Sequence, residues 1–177
     1  MTASNMLVPE LVNHFNIYDD RAKRLIGVSG EVDLGELKAM SDTVQVEGVL
    51  GEYEAPATGH FSSLKIKIPF AILYGQIFEL LDTTKPPQLT LRGSLQGSSK
   101  EGYGVDTFDV KIVVRGRVTN ASLGKLIKAK KGEPEIEMEV MYIKIMIEGE
   151  TTVELDKLNF KFVLNGTDMM AKIRSQI

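Results

Sequence analysis

Apolar and polar residues alternate along residues 134–166, and this stretch organises the rest of the sequence. In its first half the apolar residues Ile136, Met138 and Val140 are interleaved with the carboxylates Glu135, Glu137 and Glu139. A period of two predicts a half-buried β-strand, because successive side chains of a strand point to opposite faces. A turn at residues 148–150 then predicts a second long strand that returns beside the first.

The apolar positions change parity twice within this predicted hairpin. The first change, between Val140 and Ile143, predicts a β-bulge near Met141 and Tyr142. The second falls near residues 156 and 157 of the return strand, which we still expect to be one long strand. At about 3.3 Å per residue, a strand over residues 135–147 would be roughly 40 Å long. Strands of this length overshoot the core of one small domain and favour a wall shared between subunits.

Three further long strands are predicted, at residues 60–69, 88–96 and 105–117. Between the first two, the period changes to that of one short helix over residues 71–82. Its apolar side would consist of Ile72, Ile77, Phe78, Leu80 and Leu81. The sequence therefore predicts a single mainly β domain, an antiparallel β-sandwich or barrel with one packed α-helix.

The remaining segments have weaker patterns. Residues 1–12 are expected to form an N-terminal arm with a helical turn near Pro9, followed by a hairpin of residues 14–18 and 25–28. Two long loops are expected, at residues 38–58, with a short strand at 44–49, and at residues 118–132. The end of the chain, from residue 167, has the pattern of a short helix or tail.

Composition excludes several classes of function. The chain has 177 residues, 21 Lys plus Arg against 24 Asp plus Glu, and no cysteine. The net charge of −3 is too small and too mixed to indicate a nucleic-acid or membrane partner, and no disulfide or cysteine metal site is available. We expect no signal peptide and no membrane helix, since neither kind of apolar run is present.

No catalytic, cofactor or metal site is predicted. Gly124-Lys125 resembles part of a phosphate-binding loop, but the first glycine of that motif and its final Ser or Thr are absent. The two histidines lie far apart in sequence. The many paired carboxylates have the pattern of solvated strand faces rather than of an acid–base pair, which needs one desolvated partner.

Several short motifs together resemble the major tail tube proteins of contractile-tailed phages and of R-type bacteriocins. They are GHFSSL at 59–64, LTLRGSLQ at 89–96, VVRG at 113–116, LGKL at 123–126, EVMYIK at 139–144, ELDKLNF at 154–160 and NGTD at 165–168. No single motif is decisive, but their order and spacing are specific. The resemblance covers most of the chain and is densest in its second half.

The resemblance implies a structural subunit rather than an enzyme. Members form six-membered rings in which long strands of neighbouring subunits close one β-barrel around a channel, and the rings stack into a tube. Implied partners are further copies of the chain, the tail sheath protein, baseplate and tail-terminator proteins, a tape-measure protein in the lumen, and DNA only as non-specific cargo. Assembly would occur in the host bacterial cytoplasm, before the subunit becomes part of a phage tail or bacteriocin particle.

Two groups of residues are candidates for such a role. Glu135, Glu137 and Glu139 would line the channel or its rim, where carboxylates repel phosphates; an outer solvent face is the alternative, and Lys65, Lys67 and Arg92 are rival channel residues. Candidates for contacts between rings or with the sheath are Glu52, Tyr53, Glu54, Lys125, Lys128, Lys130 and Lys131. The four lysines are alternatively only a solvated loop.

Another reading of the pattern is a monomeric ligand-binding β-barrel. Its signature would be an apolar pocket inside a barrel closed by a single chain. The sequence does not distinguish a DNA-carrying phage from a headless bacteriocin, since both use the same kind of tube.

Overall fold

The computed structural model describes residues 7–100 and 102–177, and β-strands dominate it. The strands are β1 (Leu7–Tyr18), β2 (Ala39–Val44), β3 (Tyr53–Phe61), β4 (Lys65–Pro69), β5 (Gln88–Ser99), β6 (Val105–Ser122), β7 (Glu135–Ile147), β8 (Glu150–Asp156), β9 (Lys161–Leu164) and β10 (Thr167–Asp168). The helices are α1 (Gly75–Glu79) and α2 (Ala171–Arg174). The mainly antiparallel β fold expected from the alternation is confirmed.

Eight strands form one sheet in the order β1-β5-β6-β7-β8-β9-β10, with β4 paired to β7. β6 lies along one side of β7, while β4 pairs with the first half of the other side and β8 with the second. Two backbone hydrogen bonds close the gap between β4 and β8, from Val140 N to Leu64 O (2.7 Å) and from Lys157 N to Met141 O (3.0 Å). β7 is thus bonded on both sides along its length.

The hydrophobic core packs against one face of this sheet. The alternating apolar residues of four strands supply most of it, namely Ile66, Ile68, Leu89, Leu91, Ile112, Val114, Ile136, Met138, Val140 and Ile143. Leu25, Phe70, Ile77 and Leu80 belong to the same buried cluster and bring α1 and the segment after β1 onto this face. Because side chains alternate across a strand, the residues in between form a polar face on the other side.

The predicted bulge in β7 is present. The pairing of β6 with β7 shifts by one residue between Arg115 and Gly116, which leaves Met141 without an opposing residue. The parity change in the sequence therefore marks a real extra residue, and both halves of β7 keep their apolar side chains in the core.

The turn after β7 is also confirmed, but the long return strand is wrong. Glu148 and Gly149 have positive φ angles (49° and 78°), as a two-residue hairpin turn requires. β8 then ends at Asp156, whose carboxylate accepts hydrogen bonds from the backbone N–H groups of Leu158 (3.1 Å) and Asn159 (3.0 Å). The chain reverses there, and β9 folds back on β8. The second parity change marked a turn and not a bulge.

The N-terminal predictions are partly wrong. Residues 7–12 belong to β1 and pair with β5, so they form neither an arm nor a helical turn; residues 1–6 lie outside the described residues. Pro9 is tolerated because β1 is an edge strand and its register shifts beside that residue. Residues 25–28 form no strand, and the segment is held by the isolated bridges Tyr18–Arg24 and Val28–Phe70.

Residues 38–58 are not one long loop. β2 and most of β3 occupy this segment as a separate antiparallel hairpin, and residues 45–52 connect them, so the predicted strand at 44–49 is wrong. Most side chains of β2 and β3 are exposed on both faces. Apolar and polar residues alternate in a strand because one of its faces is buried. A strand exposed on both faces lacks this pattern, so periodicity does not detect it.

Other boundaries also shift. The strand predicted at 60–69 is the end of β3 and then β4, with a break before Lys65, and β6 continues to Ser122, so the predicted loop 118–132 begins only after that residue. α1 is far shorter than the predicted helix 71–82. Ile77 and Leu80 are buried as expected, but Ile72 and Phe78 are 58% and 48% exposed and lie outside the core.

Candidate assembly surfaces

The glutamates predicted to line a channel lie on the polar face of β7, beside their rivals. Lys65 pairs with Glu139 across the β4–β7 ladder, and Lys67 pairs with Glu137. Arg92 is on the same face two strands away, with its guanidinium carbon 5.2 Å from the centroid of the Tyr18 ring. The two sets of sequence candidates therefore share one surface.

Lysines of the same chain compensate two of these glutamates. Lys65 Nζ donates a hydrogen bond to Glu137 Oε1 (2.8 Å), which lowers the pKa of Glu137 and raises the pKa of Lys65. Burial acts to raise the pKa of Glu139, but hydrogen bonds from Ser63 and from Lys157 Nζ (3.3 Å) outweigh it and leave that pKa lowered. Lys157 was not among the residues predicted for this surface; the turn after β8 brings it to Glu139.

The polar face as a whole carries both signs of charge. By register its basic residues on β4–β7 are Lys65, Lys67, Arg92, Lys111, Arg115, Arg117 and Lys144, and its acidic residues on β6–β8 include Asp109, Glu135, Glu137, Glu139 and Glu154. Glu154 also has a lysine partner, Lys161, at 3.0 Å. Asp156, opposite Tyr142, adds a sixth carboxylate on these strands, so this surface is nearly charge-balanced rather than strongly acidic.

The four predicted contact lysines lie in a projecting segment between β6 and β7, here called the basic lobe (residues 123–134). Lys125, Lys128, Lys130 and Lys131 are all exposed, and Leu126 is fully exposed between them. A hydrogen bond from Lys125 N to Gly132 O (2.7 Å) joins the two ends of the lobe at its base. Gly124 has φ +71°, and a Cβ there would collide with the carbonyl of Gly132, so only glycine suits this position.

The other predicted contact residues lie in the acidic hairpin, defined as β2, β3 and the residues 45–52 between them. Glu52, Tyr53 and Glu54 are exposed there. The hairpin also carries Asp42 and Glu47, and no Lys or Arg occurs within residues 39–61. Leu50 is fully exposed in the connection between the strands. Asp42, Glu47 and Leu50 were not among the predicted contact residues, although the one-sided charge of this segment is visible in the sequence.

The C-terminal segment holds the base of the acidic hairpin. Met170 is buried, and its side chain fills the space that a Cβ at Gly59 (φ +74°) would need. The rings of Phe61 and Phe162 meet edge to face at 5.0 Å. Backbone N of Ser62 bonds to the carbonyl of Lys38 (2.9 Å). The hairpin therefore leaves the sheet from a packed base, near β8 and β9.

The large sheet does not close on itself within residues 7–100 and 102–177. β1, twelve residues long, lies at one edge and β10 at the other. An open groove of about 760 Å³ lies on the core side, lined by β1, residues 24–34, β5 and β6. A pocket enclosed in a single-chain barrel, the signature of the alternative function, is not what this part of the chain forms.

In the described part of the chain, no three His, Cys, Asp or Glu side chains come together as a metal site would require. None of the helices described is both long and apolar enough to cross a membrane.

Comparisons with known proteins agree with the fold. The sheath/tube terminator of the extracellular contractile injection system PVC, in its extended state, is similar with a TM-score of 0.56 and 11% sequence identity, over 78% of this chain and 97% of that chain. A chain of the extended sheath–tube complex of PVC has a TM-score of 0.54 and 12% identity, over 82% of this chain and 98% of that chain. At such low identity these likenesses establish the fold alone.

Sequence comparison establishes more than the fold. No curated protein sequence matches the chain. The family model described as phage tail tube protein FII matches residues 9–177, which is nearly the whole chain. The chain therefore belongs to the phage tail tube protein FII family, and it is a structural subunit of a tail tube.

Proposed function

We propose that this tail tube protein forms six-membered rings in which neighbouring sheets join into one β-barrel around a channel, and that the rings stack into a hollow tube. The observation that carries the proposal is the open eight-stranded sheet, with β1 at one edge and β8–β10 towards the other. A free sheet edge is a template for pairing with another chain. Pairing β1 with the opposite edge of the next copy is a head-to-tail contact, which gives a ring when the rotation closes.

The polar face of the sheet would line the channel. The opposite face is apolar and packs against α1 and the segment after β1, whereas an aqueous channel needs polar walls. Glu135, Glu137 and Glu139 then line the channel or its rim, and so do Lys65, Lys67 and Arg92. A charge-balanced wall holds the phosphates of passing DNA less strongly than a basic one, because fewer counterions are released.

The proposed partners follow from the tube. The outer surface would meet a tail sheath protein, whose contraction drives the tube through a cell envelope. The ends would meet baseplate and tail-terminator proteins, and the lumen would hold a tape-measure protein and, in a phage, DNA as non-specific cargo. Assembly would occur in the host bacterial cytoplasm, with residues 1–177 acting as one tail-tube domain. Membership of a structural family implies a non-catalytic role.

Purified protein tests the ring directly. Size-exclusion chromatography with light scattering and negative-stain microscopy are expected to show six-membered rings and tubes. A compact monomer at every concentration would overturn the proposal and would favour the monomeric ligand-binding protein instead.

The absence of cysteine allows the channel face to be tested by labelling. Arg92→Cys places a thiol on the polar face, and the control Glu79→Cys places one on exposed α1. A bulky polymer-linked maleimide is expected to modify Glu79→Cys in intact tubes and Arg92→Cys only after disassembly. Equal modification of both variants in intact tubes would show that the polar face does not line the channel.

A further inference from the structure

We propose that the acidic hairpin of one copy binds the basic lobe of a copy in the next ring, so that these two surfaces are the two halves of one ring-to-ring contact. The inference rests on the proposed stacking of rings and specifies what joins them. It assigns the two groups of contact candidates to each other rather than to a sheath.

Charge is the first argument. The acidic hairpin carries Asp42, Glu47, Glu52 and Glu54 and no basic residue, and the basic lobe carries Lys125, Lys128, Lys130 and Lys131 against Glu133 alone. Elsewhere, on the polar face, lysines and glutamates of one chain pair with each other. No ion pair formed within the described residues involves the hairpin carboxylates or the lobe lysines. Both surfaces therefore present uncompensated charge of opposite sign, −4 on the acidic hairpin (four carboxylates) and +3 on the basic lobe (four lysines less Glu133).

Exposed apolar side chains are the second argument. In the acidic hairpin Val46, Val49, Leu50 and Tyr53 are exposed, and in the basic lobe Leu123, Leu126 and Ile127 are exposed. Leu50 and Leu126 are fully exposed, each surrounded by the charges of its own segment. Interfaces between proteins commonly combine an apolar centre with a polar rim, and both segments have this composition.

The position of the two surfaces is the third argument. The basic lobe precedes β7 and is bonded near α1, through Gly132 N to Ala71 O (2.9 Å). The acidic hairpin leaves the sheet near β8 and β9, where Phe61 packs on Phe162. No hydrogen bond found between described residues joins the two surfaces within one chain. A contact that joins two different surfaces of successive copies is heterologous, and where such a contact does not close into a ring it repeats along an axis, as stacking requires.

A charge exchange tests the pairing with purified protein and no sheath present. The hairpin variant Glu47→Lys/Glu52→Lys/Glu54→Lys and the lobe variant Lys125→Glu/Lys128→Glu/Lys130→Glu/Lys131→Glu each place like charges opposite one another. Each alone is expected to raise the protein concentration needed for tubes at least about tenfold, and the combined variant is expected to restore tubes. The control is Asp20→Lys/Glu36→Lys/Glu79→Lys, which makes the same change in charge as the hairpin variant but at other exposed positions. This control should assemble normally.

The outcomes separate this inference from the proposed function. If the unchanged protein forms no rings, the proposed function itself fails. If it forms tubes and both single reversals also form tubes at the normal concentration, the pairing is wrong and the surfaces serve another partner. Failure of the combined variant to assemble, with each variant shown by circular dichroism to be folded, would also overturn the pairing.

Cross-linking provides a measurement that does not depend on charge. Leu50→Cys chains and Leu126→Cys chains are mixed, assembled and treated with a short bifunctional maleimide. Cross-linked dimers are expected only in the mixture, because a heterologous contact places position 50 of one copy beside position 126 of another. Dimers from either variant alone, or none from the mixed tubes, would contradict the pairing.

Discussion

Gly116→Ala places a methyl group against the backbone of β7, on the neighbouring strand β6. A Cβ at Gly116 would lie well within 3.0 Å of the carbonyl oxygen of Glu139, and 2.9 Å and 3.1 Å from the Glu139 carbonyl carbon and Val140 Cα. These are backbone atoms of the central strand, so no flexible side chain can move aside. The two strands must separate beside the bulge at Met141.

The expected cost follows from two opposing effects. Overpacking of this kind costs about 1–3 kcal/mol. Gly116 does not have a positive φ, so alanine also restricts the unfolded chain, which stabilises the protein by about 0.4–1 kcal/mol. The net destabilisation is expected to be about 1–2 kcal/mol, equivalent to a fall in Tm of roughly 2–8 °C for a chain of this size.

Urea unfolding of dilute, unassembled protein is the assay. The midpoint should fall with the slope unchanged, because the same surface is exposed on unfolding. Gly30→Ala is the control, since nothing lies within 4 Å of a Cβ there, and it should stay within about 0.5 kcal/mol of the parent. A Gly116→Ala protein as stable as this control would show that β6 and β7 do not approach so closely.

Three further substitutions test other parts of the structure. Met170→Ala removes a buried side chain beneath the acidic hairpin and should lower the free energy of unfolding in urea by about 2–5 kcal/mol. Met169 is more exposed, so Met169→Ala should cost far less, and equal losses of stability would contradict the packing of Met170. Since the bond from Lys65 lowers the pKa of Glu137, that carboxylate contributes stability above its unfolded pKa of about 4.3 and loses it as the pH falls through the lower folded value. The parent should therefore lose more stability than Glu137→Gln between about pH 6 and about pH 3, and parallel curves would refute this. Gly124→Ala should strain the base of the basic lobe by about 1–3 kcal/mol, so trypsin should cut the lobe lysines faster than in the parent, and an unchanged rate would count against the hydrogen-bonded base.

Where a strand has one buried face, the sequence predicts the structure closely. β7 has the predicted bounds because burial on one side imposes alternation, and the register of its apolar residues even locates the extra residue Met141. The same holds for β4, whose alternating residues Ile66 and Ile68 are buried.

The failures arise where that constraint is absent or ambiguous. β2 and β3 have mostly exposed side chains on both faces, so their sequences contain no period to read. At Asp156 a change of parity is compatible with either a bulge or a reversal, and the deciding interaction is the capture of two backbone N–H groups by a carboxylate.

The candidate surfaces could likewise be predicted from the sequence only in part. The position of Glu137 and Glu139 on one strand face was predictable, because both belong to one alternating run. Their compensation by Lys65 and Lys157 was not, because these lysines arrive from separate parts of the chain through β4 and through the turn after β8. The net charge of the polar face therefore depends on contacts between distant parts of the chain, which the local sequence pattern does not reveal.

The double pairing of β7 has a mechanical consequence. A load applied along a strand is carried by all of its cross-strand hydrogen bonds at once, because those bonds run perpendicular to the strand. β4, β6 and β8 together grip β7 from Glu135 to Ile147, so its ends cannot peel away one bond at a time. Each subunit therefore contains a stiff rib at its centre, able to transmit thrust without stretching.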